Sequence, residues 1–324
     1  MGALHRKENA KIGSIQCLRA FSILAVLQSH SNYGNRRGDL GVDIFFVISG
    51  YLMARILSKA PITSHTIKDF YTKRIKRIVP AYLVLLLLVL LFSRFTLDEE
   101  QRATLSMDSI LCLGFVETIY TDNDYFSAVA HLWTVSIEMQ YYLVAPLIYF
   151  FLSRFRFAKR IVFFYSLIKI SLILHWVSVC SIFCFFISKD DETELDILIV
   201  NFSAAAIIIF SQIGSDLNHR LFHFIGDISY SLYLVHFPIF SYFYISELTF
   251  KAFSDFILAT FLSFLVAIVF HYSLEKYFIR APNRRTFIFI GLMYFVITLV
   301  LLYDYNEGIL LTITRENGSF MFEE

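Results

Sequence analysis

Lys73-Arg74-Ile75-Lys76-Arg77-Ile78-Val79-Pro80-Ala81-Tyr82-Leu83-Val84-Leu85-Leu86-Leu87-Leu88-Val89-Leu90-Leu91-Phe92-Ser93 decides the fold class. Four cations fall in five positions, and no further charge appears before Arg94. A bilayer core about 30 Å thick is crossed by about 20 apolar residues of helix, and the run from Ile78 to Phe95 has that character. Eight more runs share it: Ile12 to His30, Leu40 to Ile56, Leu132 to Leu152, Ile161 to Ser188, Ile197 to Ile213, Leu221 to Ile245, Phe256 to Leu274 and Phe287 to Tyr303. Ile110 to Tyr120 is shorter and contains Glu117, which suits a re-entrant or interfacial segment better than a span.

The whole composition agrees. Of 324 residues, 57% are hydrophobic and only 17% charged. Soluble domains average about 45–50% apolar and about 25% charged. Mean hydropathy is +0.62. The expected fold class is therefore all-α, a polytopic transmembrane helix bundle of about nine to ten spans with no soluble domain. The chain reads as one membrane domain over residues 1–324, with a motif-bearing core at 12–303 and a short C-terminal tail at 304–324. A net charge of +1 gives no basic field for nucleic acid. Cys17, Cys112, Cys180 and Cys184 lack metal-ligand spacing, so neither a disulfide framework nor a metal site is expected.

Lys and Arg collect on the cytoplasmic side of membrane proteins. With the N-terminus inside, nine spans place the Arg6-Lys7-Lys11, Lys73–Arg77, Arg154–Arg160 and Lys276–Arg285 clusters all inside. Making Ile110 to Tyr120 a span would move Arg154–Arg160 outside. The long Ile161 to Ser188 run could instead fold as a hairpin, giving ten spans and an inside C-terminus. Arg19 within the first run, and no small-x-small site after it, argue against a cleaved signal. A multi-pass protein of a bacterial inner membrane is expected.

Ionisable residues in hydrocarbon are costly and mark functional sites by default. Arg19 and His30 are eleven positions apart, so on a helix they share a face about 16 Å apart along the axis. His30 can also simply cap the helix end. Asp43 opens the next run inside Gly41-Val42-Asp43-Ile44-Phe45-Phe46-Val47-Ile48-Ser49-Gly50. It could hold an imidazole in one tautomer or merely cap a helix. Arg74 and Arg77 share a face at i, i+3, suited to binding phosphates bidentately or to anchoring a helix in anionic lipid. Glu138 follows His131-Leu132-Trp133 at the depth of His30 and Asp43. His236 lies mid-run before Pro238, whose missing N–H frees a backbone carbonyl.

In this order, Arg19-x10-His30, Gly41 to Gly50, Arg74-x-x-Arg77, Leu132-Trp133 with Ser136-x-Glu138, and Ser229-Tyr230-Ser231-Leu232-Tyr233-Leu234-x-His236-x-Pro238 resemble the integral-membrane acyltransferase-3 family. Ser14-Ile15-Gln16-x-Leu18-Arg19 looks like its branch that acetylates exopolysaccharide and lipopolysaccharide O-antigen. The sequence departs from the family at Ala20, where glycine is usual, and at Met139, where a second glutamate is usual. No fused extracytoplasmic esterase-like domain is expected after the last helix, so this single domain would have to bind its acceptor unaided. The resemblance implies transfer of an acyl group, usually acetyl from cytoplasmic acetyl-CoA, to a hydroxyl of an extracytoplasmic glycan.

On that basis the expected catalytic set is His30 as base, Asp43 or Glu138 orienting its ring, and Arg19 polarising the thioester carbonyl. Arg74 and Arg77 would bind the CoA phosphates, and Tyr233 and His236 the acceptor. The expected partners are an acyl-CoA donor, a surface or lipid-linked glycan, and membrane lipid. The reading from another class is a transporter or flippase of a lipid-linked glycan, with the same charged residues forming a proton or substrate path.

Overall fold

The computed structural model describes residues 13–30, 40–59, 61–117, 127–154, 194–211, 220–245 and 253–319. Their regular structure is helical throughout: α1 (Gly13–Ser29), α2 (Leu40–Leu57), α3 (Ser64–Thr96), α4 (Glu99–Leu113), a 3-10 turn (Ala130–Leu132), α5 (Trp133–Arg154), α6 (Glu194–Ser211) and α7 (Arg220–Ile245). Next come α8 (Phe253–Phe270), a π-helical turn (His271–Glu275), α9 (Lys276–Arg280) and α10 (Asn283–Ser319). Helices lie on eight of the nine apolar runs; Ile161 to Ser188 falls outside the described residues.

Among the described residues, four stretches are long and apolar enough to cross a bilayer: Leu40–Leu57, Ser64–Thr96, Ser254–Arg280 and Asn283–Tyr305. Several helices carry exposed apolar stripes, such as Leu258, Phe261, Leu265 and Val269 on α8, and Phe295, Leu299 and Leu302 on α10. Exposure at three- and four-residue spacing is a lipid-facing stripe, since water would not tolerate so much apolar surface on a stable helix. The chain is an integral membrane protein.

Two compact units divide it, one comprising 1–67 with 142–233 and the other 68–141 with 234–324. In the first, α1, α2 and α6 pack together. Ile15 and Leu18 of α1, Leu40, Ile44 and Ile48 of α2, and Val200, Ala204, Ile207 and Ile208 of α6 form its core. The four-residue steps along α2 place its apolar residues on one side, as helix periodicity requires. Lipid tails are as apolar as leucine, so close approach of backbones replaces the hydrophobic drive between membrane helices. Gly41 shows this: a Cβ there would sit 2.5 Å from the Ser22 carbonyl oxygen and 3.0 Å from Val26 Cγ2. Gly226 of α7 lies as tightly on α1, where a Cβ would collide with the Gln16 carbonyl oxygen.

In the second unit the anchor is the end of α4. Asp98 starts this helix with a capping box, its Oδ1 accepting the Gln101 N–H at 2.9 Å. The last four carbonyls of a helix lack intrahelical donors. Here the Cys112 carbonyl accepts the Tyr82 hydroxyl of α3 at 2.9 Å, and the Leu113 carbonyl accepts the Tyr294 hydroxyl of α10 at 3.1 Å. Two phenols thus tie three helices at one point. Ile110 to Tyr120 is accordingly no element of its own: its first residues are the last turn of α4, and 118–120 lie outside the described residues.

The chain then turns through Phe115, whose φ of 53° is left-handed. Its ring lies 4.9 Å from the Tyr82 ring, and its carbonyl accepts Gln140 Nε2 at 2.7 Å. A bulky residue in that region costs about 1–2 kcal/mol, which these contacts offset. Helix α10 runs without a break to Ser319, and Asp304 pairs with Arg94 at 2.6 Å. The guanidinium of Arg94 also lies 4.7 Å from the centre of the Tyr303 ring. The charge that ends the apolar run is a clamp between α3 and α10.

Glu117, just past α4 and outside the four candidate spans, is fully buried, with Cys112 Sγ donating to Oε2 at 3.4 Å. Burial, with the Asp108 carboxyl adding to it, pushes the Glu117 carboxyl up to about 8. An acid whose pKa is higher folded than unfolded binds more protons when folded. Stability therefore falls as pH rises from about 4.5 towards about 8 and levels off above. Glu117→Gln should flatten that part of the pH profile, read as the melting temperature of detergent-solubilised protein from pH 5 to 9. Gly226→Val should lower the melting temperature, since overpacking costs typically about 1–3 kcal/mol. Gly291→Ala, where a Cβ meets nothing within 4 Å, should not.

Candidate functional site

Within the first unit, α1 carries Arg19 and ends at His30, whose backbone N–H closes the last turn on the Val26 carbonyl at 3.4 Å. Asp43 lies in the first turn of α2. Because Gly41 packs against Val26, His30 and Asp43 stand at the same end of the α1/α2 pair. Both are half-buried, reachable by a substrate yet partly shielded from water.

Arg19 is half-buried, and the structure gives it a partner. Its Nε donates to Ser229 Oγ at 3.1 Å, and Ser229 in turn donates to the Gly226 carbonyl at 3.0 Å. The close approach of Gly226 to α1 is what brings Ser229 within reach of the guanidinium. One turn further along α7, Tyr233 is buried and meets Phe45 of α2 edge-on, with ring centres 6.4 Å apart. The line Gly226, Ser229, Tyr233 is thus the side of α7 that faces α1 and α2. Arg19, His30, Asp43 and Tyr233 all belong to this unit.

Within the second unit, Pro238 explains two motifs together. Proline has no N–H to offer the carbonyl four residues back, that of Leu234. His131 supplies the donor: its Nε2 lies 3.1 Å from the Leu234 oxygen. A carbonyl only accepts, so Nε2 carries the proton. The His131 ring stacks on Phe237 at 4.9 Å and meets His236 edge-on at 5.6 Å. His236 is completely buried, with Phe240 beyond it at 6.1 Å. The sequence signal that marks His131 is the carbonyl that Pro238 frees, about a hundred residues away. Glu138 stands half-buried on α5.

The basic cluster of α3 also lies in this unit, and its cations have separate tasks. The Arg74 guanidinium is 5.9 Å from the centre of the Phe70 ring. Lys76 donates to the Ala281 carbonyl at 2.6 Å and contacts Asn283 Oδ1 at 3.2 Å, holding the turn between α9 and α10. Arg77 Nε lies 3.7 Å from Glu275 Oε1, and His271 Nδ1 lies 2.7 Å from Glu275 Oε2. Glu275 and His271 escaped the sequence reading because nothing in their spacing points to a partner on α3. Among the described residues, no group of three His, Cys, Asp or Glu is placed to hold a metal.

Comparison with known proteins now bears on this geometry. The acyltransferase-3 family model, described as an acyltransferase domain, matches residues 12–188, more than half of the chain. The chain belongs to the acyltransferase-3 family. The matched region carries Arg19, His30, Asp43, Arg74, Arg77 and Glu138, whereas Ser229, Tyr233, His236 and Glu275 lie beyond it. The O-acetyltransferase OatA of Staphylococcus aureus is 35% identical over 178 residues, covering 50% of this chain and 29% of that protein. The peptidoglycan O-acetyltransferase OatA of Listeria monocytogenes is 35% identical over 147 residues, covering 42% of this chain and 24% of its own length. This family member therefore spans less than a third of the length of these relatives. No solved structure matches it.

Proposed function

We propose that the protein is a membrane O-acyltransferase that moves acetyl from cytoplasmic acetyl-CoA to a hydroxyl of an extracytoplasmic glycan. The observation that carries this reading is the arrangement on α1 and α2: a half-buried imidazole and carboxylate at one end of a packed helix pair, and a guanidinium held by Ser229 on the same helix as the imidazole.

In this reading His30 takes the proton of the acceptor hydroxyl, and the oxygen attacks the thioester carbonyl carbon. The C–S bond breaks, and the thiolate of CoA regains the proton from His30. Asp43 is favoured over Glu138 as the group that orients the imidazole and balances its charge, because it shares a packed helix pair with His30. A guanidinium held in advance by Ser229 needs no reorganisation to stabilise negative charge developing on the carbonyl oxygen. Arg19 takes that role. Arg74 and Arg77 bind the donor phosphates, and Tyr233 and His236 contact the acceptor.

The acceptor is a glycan of the cell envelope. The opening motif around Arg19 favours a surface polysaccharide of the O-antigen or exopolysaccharide kind, and similarity to the Listeria peptidoglycan O-acetyltransferase favours peptidoglycan. The membrane topology is nine or ten spans in a bacterial inner membrane, with the Lys73–Arg77 cluster inside. A cysteine at position 73 should react with impermeant maleimide only after the cells are opened, and reaction in intact cells would reverse the orientation.

Mass spectrometry and NMR of base-labile acetate on purified surface polysaccharide and on peptidoglycan, with and without the gene, test the function and identify the acceptor together. Wild type should restore acetate that is lost without the gene. His30→Ala should restore less than about 1%, in line with losses of about 10²-fold or more for positioned acid–base groups, at equal protein in the membrane. Unchanged acetate with altered amounts of exported polymer would replace the enzyme by a transporter.

A further inference from the structure

Glu275 lies in a part of the chain that the family match does not reach, on the only π-helical turn among the described residues. The Lys276 N–H bonds the His271 carbonyl five residues back, in place of the usual four. Such turns are rare and give up regular α-helical bonding, and they occur most often at functional sites. This one holds two ionisable side chains, His271 and Glu275, both buried.

The carboxylate is served at both oxygens. His271 Nδ1 is 2.7 Å from Oε2, and the Arg77 Nε edge faces Oε1 at 3.7 Å. The two ends of the ion pair differ sharply in burial. The Glu275 side chain is 3% exposed and that of Arg77 31%. A pair serving only to neutralise charge inside the protein would bury both ends; this one anchors a side chain that keeps nearly a third of its surface exposed.

A guanidinium offers two edges, one with Nε and one Nη, the other with both Nη. With the Nε edge turned to Glu275, the Nη edge is aimed away from the carboxylate, in the geometry that binds a phosphate with two parallel hydrogen bonds. Lys76, the next residue, ties α3 to the turn after α9, so the helix carrying Arg77 is held to the segment carrying Glu275 at a second point.

We infer that Glu275 is a positioning residue, held by His271, that orients the Arg77 guanidinium to bind a phosphate of the acyl-CoA donor. The inference rests on the acyl-CoA reading above. It adds the buried carboxylate and imidazole of the π turn to the donor site and gives the π turn a purpose.

The test uses the full chain in nanodiscs of phosphatidylcholine, with coenzyme A and pantetheine as probes. Pantetheine carries the same thiol arm without the phosphates. Glu275→Gln should raise the Kd for coenzyme A about tenfold, the scale of the coupling lost with one member of an interacting charge pair, and leave that for pantetheine unchanged. Glu275→Asp, which keeps the charge, should recover binding to within about threefold of wild type. In an Arg77→Gln background, which removes the cation, Glu275→Gln should add nothing, because its effect passes through Arg77.

Equal coenzyme A binding by wild type and Glu275→Gln would overturn the inference, and so would equal weakening of both probes, which signals a merely structural role. An effect seen only as altered dependence on phosphatidylglycerol would assign Arg77 to a lipid headgroup and overturn it also. Wild type that binds no coenzyme A would overturn the acyl-CoA reading itself, a result distinct from the others. If Glu275→Gln does not accumulate, His271→Gln should give the same weakening for coenzyme A alone, and its absence would be equally decisive.

Discussion

A polar group surrounded by apolar side chains must find its partner within the protein, because no water is at hand to take its place. That constraint organises the described structure more than apolar packing does. Arg19 is held by Ser229, the carbonyl that Pro238 frees is met by His131, and the last carbonyls of α4 are met by Tyr82 and Tyr294. Each bond joins segments far apart in sequence. Apolar surface is abundant on every helix and selects no neighbour by itself; the scarce polar atoms determine which helices meet and in what register.

The glycines work to the same end. Gly41 and Gly226 let α2 and α7 come close to α1, and the closeness of Gly226 is what makes a short serine side chain long enough to reach Arg19. Side-chain chemistry and backbone approach are therefore one requirement: a bulkier residue at 226 would push Ser229 out of bonding distance before it disturbed the chemistry directly. The Ser229–Pro238 stretch thus owes its contact with α1 to a glycine three residues earlier.

The helices were readable in the sequence because a membrane run announces itself by length and by the absence of charge. Arg19, His30 and Asp43 stood out for the same reason, as charges where charge is costly. What could not be read was pairing. Asp304 looked like the start of a tail because it ends an apolar run, and only the guanidinium of Arg94 beside it shows that the helix continues. Glu275 and His271 fall near the end of a span, where ionisable residues are ordinary, and a π turn leaves no spacing signature that a periodic pattern could detect. Arg74 and Arg77 looked like equivalent members of one cluster; their neighbours, an aromatic ring for one and a carboxylate for the other, make them different.

The bond between His131 and the Leu234 carbonyl also bears on how this sequence can change over time. Position 238 creates a need that position 131 fills, although the two side chains belong to different helices. With an ordinary residue at 238, the carbonyl would bond within its own helix and the histidine would lose its acceptor. With proline kept and the histidine removed, a buried carbonyl would go unmet. Either single step is worse than both together, so the two sites are bound into one heritable unit, and the imidazole's proton has been assigned to one nitrogen by a residue that has no proton to give.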